Sequence, residues 1–174
     1  MQHNTHDSGI EPDSLSLQDI IEIADTYHMD LTHPDPEQLR AAVERDLDGC
    51  EFWLLPSLMS GGIYGSIEMI GPFIIARYRD DGPRPQQVQA QYHELLHVVK
   101  GQISPGQKLI FKDRRRLWTP MERQCESGAR ILTRYTLLGD PTGTIERVRH
   151  ELETPIKHRP YRQLDARLMG KRLR

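Results

Sequence analysis

His93, Glu94 and His97 form a His-Glu-x-x-His run inside Tyr92-His93-Glu94-Leu95-Leu96-His97-Val98-Val99. On an α-helix, residues i and i+4 lie one above the other on the same face, so His93 and His97 can aim two imidazoles at one cation. This is the helical spacing by which Zn²⁺ is held. Glu94 falls next to that face, where a carboxylate can take a proton from a water that the metal polarises. The chain has 8 His and 12 Glu in 174 residues. Chance alone then yields roughly 0.02–0.03 such runs, which makes coincidence a poor account. Val88, Leu95, Leu96, Val98 and Val99 give the same helix an apolar side to bury.

A catalytic zinc takes three protein ligands and leaves a fourth place open. Two histidines leave the set one short, and the third must come from a later segment that folds back over the helix. Glu122, Glu126 and Asp113 are the acidic candidates, and Cys125 is a chemical alternative. Spacing does not choose among them, because Glu122 and Glu126 share one helical face.

The elements that must position these residues can be read from the pattern. Residues 1–16 begin with a polar stretch and are expected to be a flexible N-terminus. Ser16 and Asp19 form a capping box of the Ser-x-x-Asp kind before Ile20, Ile21, Ile23 and Ala24. A second helix fits Asp35 to Leu47, with Pro36 in its first position and Leu39, Ala42 and Val43 at helical spacing. Both helices are acidic and lack a basic recognition face, so DNA reading by them is not expected.

Three segments rich in β-branched and aromatic residues follow: 51–55, 62–70 and 72–78, punctuated by Gly61-Gly62 and Gly71-Pro72. They predict a small antiparallel sheet. Asp80-Asp81-Gly82-Pro83 then turns the chain, and Pro85 opens the His-Glu-x-x-His helix. Residues 101–106 break the pattern, and the run from Lys112 to Arg116 reads as a solvated loop. Thr119 and Pro120 start a further helix that carries Glu122, Cys125, Ala129 and Leu132. A short helix fits Thr144 to Leu152, and no internal repeat is visible.

Net charge is −2, but it is unevenly placed: residues 1–100 carry 6 Lys+Arg against 17 Asp+Glu, and residues 101–174 carry 17 against 8. The halves either neutralise each other or leave a basic C-terminal surface for an acidic partner. Two cysteines, Cys50 and Cys125, make no disulfide framework and no four-cysteine zinc site. No apolar run approaches a membrane span, and the first residues lack the pattern of a signal peptide. A cytoplasmic protein is expected.

The two motifs together resemble those of the ImmA/IrrE metallopeptidases. There the His-Glu-x-x-His helix is followed by a helix starting Glu-x-x-(Ala or Cys)-Asn-x-x-Ala, and here that stretch reads Glu122-Arg123-Gln124-Cys125-Glu126-Ser127-Gly128-Ala129. The resemblance covers about residues 17–135 and implies His93, His97 and Glu122 as zinc ligands. It also implies Glu94 as general base, Cys125 as a small buried residue beneath the site and Ala129 as a close-packing position. The chain departs from the pattern at Leu96, where the family has Gly, and at Glu126, where it has Asn. Thr133-Arg134-Tyr135 replaces the usual Leu-Met-Pro ending.

The expected fold is therefore α+β and zincin-like: a small antiparallel sheet packed on the active-site helix and on the ligand helix that follows it. Residues 17–153 should form the domain, and residues 154–174 a basic C-terminal tail. The function implied is zinc-dependent hydrolysis of a peptide bond in a protein, with a helix-turn-helix transcription regulator as substrate. The alternative is a non-catalytic, zinc-stabilised protein that binds such a regulator. Nucleic acid and membrane are not expected partners.

Between Lys157 and Arg174 the tail holds seven basic residues and one acidic residue, and no acid, base or ligand set. Deleting residues 157–174 is expected to leave zinc content unchanged and to weaken partner binding, most at low salt, where exposed charges are least screened. Loss of zinc or of folding in the truncated chain would show instead that the tail packs on the acidic half.

Overall fold

The computed structural model describes residues 13–112, 119–140 and 142–153. The expected loop at 113–116, Asp113 with it, and the basic tail from 154 lie outside them. Helix α1 (Leu17–Thr26) starts at the expected capping box: Ser16 Oγ accepts from the Asp19 amide at 3.2 Å, and Asp19 Oδ2 accepts from the Ser16 amide at 2.6 Å. It buries Ile20, Ile21 and Ala24. Helix α2 (Pro36–Asp46) is capped by Asp35, whose Oδ1 accepts from the Glu37 amide at 2.9 Å, and it buries Leu39, Ala42 and Val43.

α2 also sets the first strand. Arg40 Nη1 donates to Glu44 Oε2 at 2.6 Å and to the Phe52 carbonyl at 2.7 Å, while Glu44 Oε1 accepts from the Phe52 amide at 3.0 Å. Both backbone groups of Phe52 are thus satisfied by one ion pair on α2, which fixes where β1 (Glu51–Ser57) begins.

The remaining strands are β2 (Ile63–Ile70), β3 (Phe73–Arg79) and β4 (Lys108–Lys112), in the spatial order β1-β3-β2-β4. β2 and β3 form the antiparallel hairpin that Gly71-Pro72 announced, with Ile70 opposite Phe73. Two features correct the sequence reading. The sheet is mixed rather than antiparallel, because β1 pairs with β3 in parallel, Phe52 opposite Ile74 and Leu54 opposite Ala76. The second edge of β2 is taken by β4, so β2 and β3 are central and β1 and β4 are the edge strands. β4 is not among the expected strands, and Lys112, expected in a loop, is its last residue. It is short, begins and ends with lysine, and its Ile110 is exposed; its place comes from the ladder with β2.

Helix α3 (Arg84–Val99) lies across one face of this sheet, against β2 and β3, with α2 and α4 on its other sides. Gln87 Nε2 donates to the carbonyls of Asp80 and Gly82, both at 2.8 Å, which holds the turn leading into the helix. Nine residues of α3 are buried, His93, Glu94 and His97 among them, so this helix is enclosed on nearly every side. Tyr92, fully buried, joins three segments through its hydroxyl: it meets Thr136 Oγ1 at 2.8 Å, and that hydroxyl donates to the Pro34 carbonyl at 2.8 Å.

Helix α4 (Pro120–Leu138) is capped by Thr119, whose Oγ1 accepts from the Glu122 amide at 3.2 Å. α4 packs closely on α3 at Gly128, where an added Cβ would stand 2.8 Å from Cδ1 of both Leu96 and Leu15. Leu96 thus fills the space that Gly128 leaves, and the two helices approach through the glycine of α4. Helix α5 (Thr144–Glu153) is started by Asp140, whose carboxylate accepts from the amides of Thr144 and Ile145 at 2.9 and 2.8 Å, and it packs on α1. Among the described residues the fold is α+β, with five helices and a four-stranded sheet. No helix among them is long and apolar enough to cross a membrane.

Gly128→Leu should lower stability by about 1–3 kcal/mol, the usual range for overpacking a core. Leu96→Ala in the same chain should recover part of that loss. A double-mutant cycle by chemical denaturation should show the coupling, and strict additivity would contradict the packing described.

Candidate metal centre

His93 and His97 come from consecutive turns of α3, and Glu122 from the first turn of α4. The Thr119 cap starts α4 where its first turn overlies the histidines. His93 Nε2 lies 3.0 Å from Glu122 Oε2, His97 Nε2 lies 3.6 Å from Glu122 Oε1, and the two Nε2 atoms are 3.2 Å apart. One ligand atom from each of the three residues lies within 4.8 Å of the others, so the group can hold a metal ion. The histidines are fully buried, and Glu122 is the one partly exposed member.

Of the candidates for the third position, the structure brings Glu122 to the histidines. Cys125 and Glu126 stand instead on the Nδ1 sides of the rings. Cys125 Sγ is 3.5 Å from His97 Nδ1, and Glu126 Oε2 is 3.5 Å from His93 Nδ1. Burial pushes the Cys125 thiol well up, so it remains protonated beneath the site.

The donor set fits a cation on one further observation. His97 Nδ1 meets Gln102 Oε1 at 2.9 Å. An amide oxygen only accepts, so the proton of the neutral ring is on Nδ1 and Nε2 is a bare lone pair. That lone pair faces His93 Nε2 and the Glu122 carboxylate. Two acceptors, that lone pair and the carboxylate, thus face His93 Nε2, an arrangement that a positive charge among them would satisfy. Without a metal, a proton meets that need. Burial opposes charging His93, but the hydrogen bond to Glu122, the nearby Glu126 carboxylate and the charge of Glu94 outweigh it and raise His93 to about 9. Burial and the nearby His93 charge lower His97 to about 4. The same two histidines hold Glu122 below the ordinary carboxylate range against the effect of its own burial.

Glu94 is fully buried, and neither carboxylate oxygen has a hydrogen-bond partner among the described residues. It points at β2. A Cβ on Gly65 would lie 2.4 Å from Glu94 Oε1, so the carboxylate occupies space that only glycine leaves open. The ladder between β2 and β4 shifts register between Ile63 and Gly65, beside that contact. Burial raises Glu94 to about 8, with the charge of His93 opposing the shift and that of Glu122 adding to it.

Two residues of the site escaped the sequence reading. Gln102 returns to His97 because Gly101, at φ 63, ends α3 in a Schellman turn. There the Gly101 amide donates to Val98 O and the Gln102 amide to His97 O, both at 2.8 Å. A glycine closing the metal helix was the available signal. Gly65 was visible as a lone glycine inside a strand, a pattern that marks a close approach. Glu126, a candidate for the third ligand, stands beside His93 Nδ1 and not among the Nε2 atoms.

No protein-family model matches the chain, and no curated protein matches it.

Gly65→Ala should displace the Glu94 carboxylate while leaving His93, His97 and Glu122 in place. A crystal structure of the variant with an unmoved Glu94 would contradict the fit. A pH dependence follows as well. A carboxyl whose folded-state pKa is raised favours folding while protonated, and stability falls as pH rises from its unfolded value toward about 8. In metal-free protein, Glu94→Gln should therefore flatten the loss of stability between about pH 5 and pH 8. Denaturation of both chains in chelator at several pH values would show parallel curves if Glu94 is not involved.

Proposed function

We propose that this chain is a zinc metallopeptidase of zincin-like architecture, with His93, His97 and Glu122 as ligands and Glu94 as general base. The convergence of two Nε2 atoms and one carboxylate beside a buried glutamate carries the reading. Zinc held there would supply Lewis acidity toward a peptide carbonyl and a water.

The chain's own residues supply the rest. Glu94 takes the proton of the attacking water and returns it to the departing amine. A carboxyl raised by burial is suited to both transfers near neutral pH. Gly65 leaves room for that carboxylate, and Gln102 keeps His97 in the tautomer that offers Nε2. The substrate proposed is a helix-turn-helix transcription regulator. It is supported by the resemblance of Glu122-Arg123-Gln124-Cys125 and the His-Glu-x-x-His run to the ImmA/IrrE metallopeptidases.

A second reading is favoured by one observation: His93, Glu94 and His97 are at most 1 % exposed. So enclosed a centre also suits a non-catalytic protein that uses zinc for stability and binds the regulator without cutting it.

Purified protein should carry about one zinc per chain, with three side-chain ligands as a catalytic site has. His93→Ala, His97→Ala and Glu122→Ala should each lose it, as metal analysis will show. Zinc retained in all three variants would refute the ligand set. Glu94→Gln should keep the zinc and reduce hydrolysis of a peptide library by about 10²–10⁴-fold, the contribution of a general base. Absence of hydrolysis in the zinc-loaded wild type would favour the binding protein.

A further inference from the structure

Glu126 lies one helical turn beyond Glu122 and is 4 % exposed. Its Oε1 accepts from Gln89 Nε2 at 2.6 Å and from Arg130 Nε at 2.9 Å. Its Oε2 is buried, accepts no hydrogen bond among the described residues and stands 3.5 Å from His93 Nδ1. A buried carboxylate oxygen is costly unless something positive or an N–H faces it, and here the ring of His93 does. On the other histidine the same position is taken by Gln102, whose Oε1 is 2.9 Å from His97 Nδ1.

We propose that Glu126 and Gln102 are positioning residues for the metal centre, each taking one Nδ1 proton so that both Nε2 lone pairs turn toward Glu122. This rests on the metal-centre reading and extends it. Gln89 and Arg130 fix one oxygen of Glu126, which leaves the other to face His93 and keeps Glu126 out of the ligand set. The two histidines are thereby unequal. A carboxylate behind His93 orients the ring and raises its basicity, whereas an amide behind His97 orients without adding charge. The sequence places the pair on different elements, Glu126 on α4 and Gln102 just after the Schellman turn of α3.

The test is zinc affinity of the full chain, measured by competition with a chromophoric chelator, with circular dichroism of the metal-free proteins as a check on folding. Glu126→Ala should weaken Zn²⁺ binding about 10–100-fold, the usual effect of removing an outer partner of a ligating histidine. Glu126→Gln, which keeps an acceptor of the same shape without the charge, should recover the part of that loss that comes from ring orientation. Gln102→Ala should weaken binding by a smaller factor, and it carries the test if Glu126→Ala does not fold. Zinc affinity within twofold of wild type in folded Glu126→Ala and Gln102→Ala would overturn the positioning role while leaving the metal centre intact. An equal loss in Glu126→Ala and Glu126→Gln would also overturn it, since charge alone would then account for the effect. No zinc binding by the wild type would overturn the metal-centre reading and this inference together.

Discussion

The structure depends on one constraint: α3 buries two imidazoles and a carboxylate in the middle of the domain, and each must be satisfied there. An unpaired polar or charged group in such a place costs several kcal/mol by general estimates, far more than one apolar contact returns. Three segments around α3 supply part of the answer. α4 brings Glu122 and Glu126, the turn after α3 brings Gln102, and β2 withdraws a side chain at Gly65 to admit Glu94. The oxygens of Glu94 are the part left unanswered among the described residues.

Packing serves the same end. Gly128 lets α4 close on Leu96, which keeps Glu122 within reach of both Nε2 atoms. Tyr92, one residue before the first histidine, ties α3 through Thr136 to the segment leading into α2. Side chains held by packed helices need little rearrangement to accept an ion, which suits the proposed ligand set.

The sheet contributes position rather than chemistry, apart from Gly65. Its mixed order puts the β2–β3 hairpin at the centre, with β1 held to α2 through the Arg40–Glu44 pair and β4 closing the other edge. The helix face that meets the hairpin carries Glu94, and the face that meets α4 carries the histidines. One helix thus presents the Glu94 carboxylate to the hairpin and the two histidines to Glu122 on α4.

The sequence by itself determined the helices, the β2–β3 hairpin and the pair His93/His97. Their signals are local: a capping box at Ser16, Pro36 and Pro120 at helix starts, Gly71-Pro72 in a turn, and i, i+4 spacing on one helix. Resemblance pointed to Glu122, but spacing could not separate it from Glu126, because both lie on one face of α4. Only the way α4 crosses α3 decided that Glu122 meets the Nε2 atoms and Glu126 the Nδ1 of His93. The parallel pairing of β1, the existence of β4 and the reach of Gln102 were likewise decided in three dimensions. Alternation along a strand records which face is buried, not which neighbour it pairs with or in which direction, and a polar partner far along the chain leaves no periodic trace.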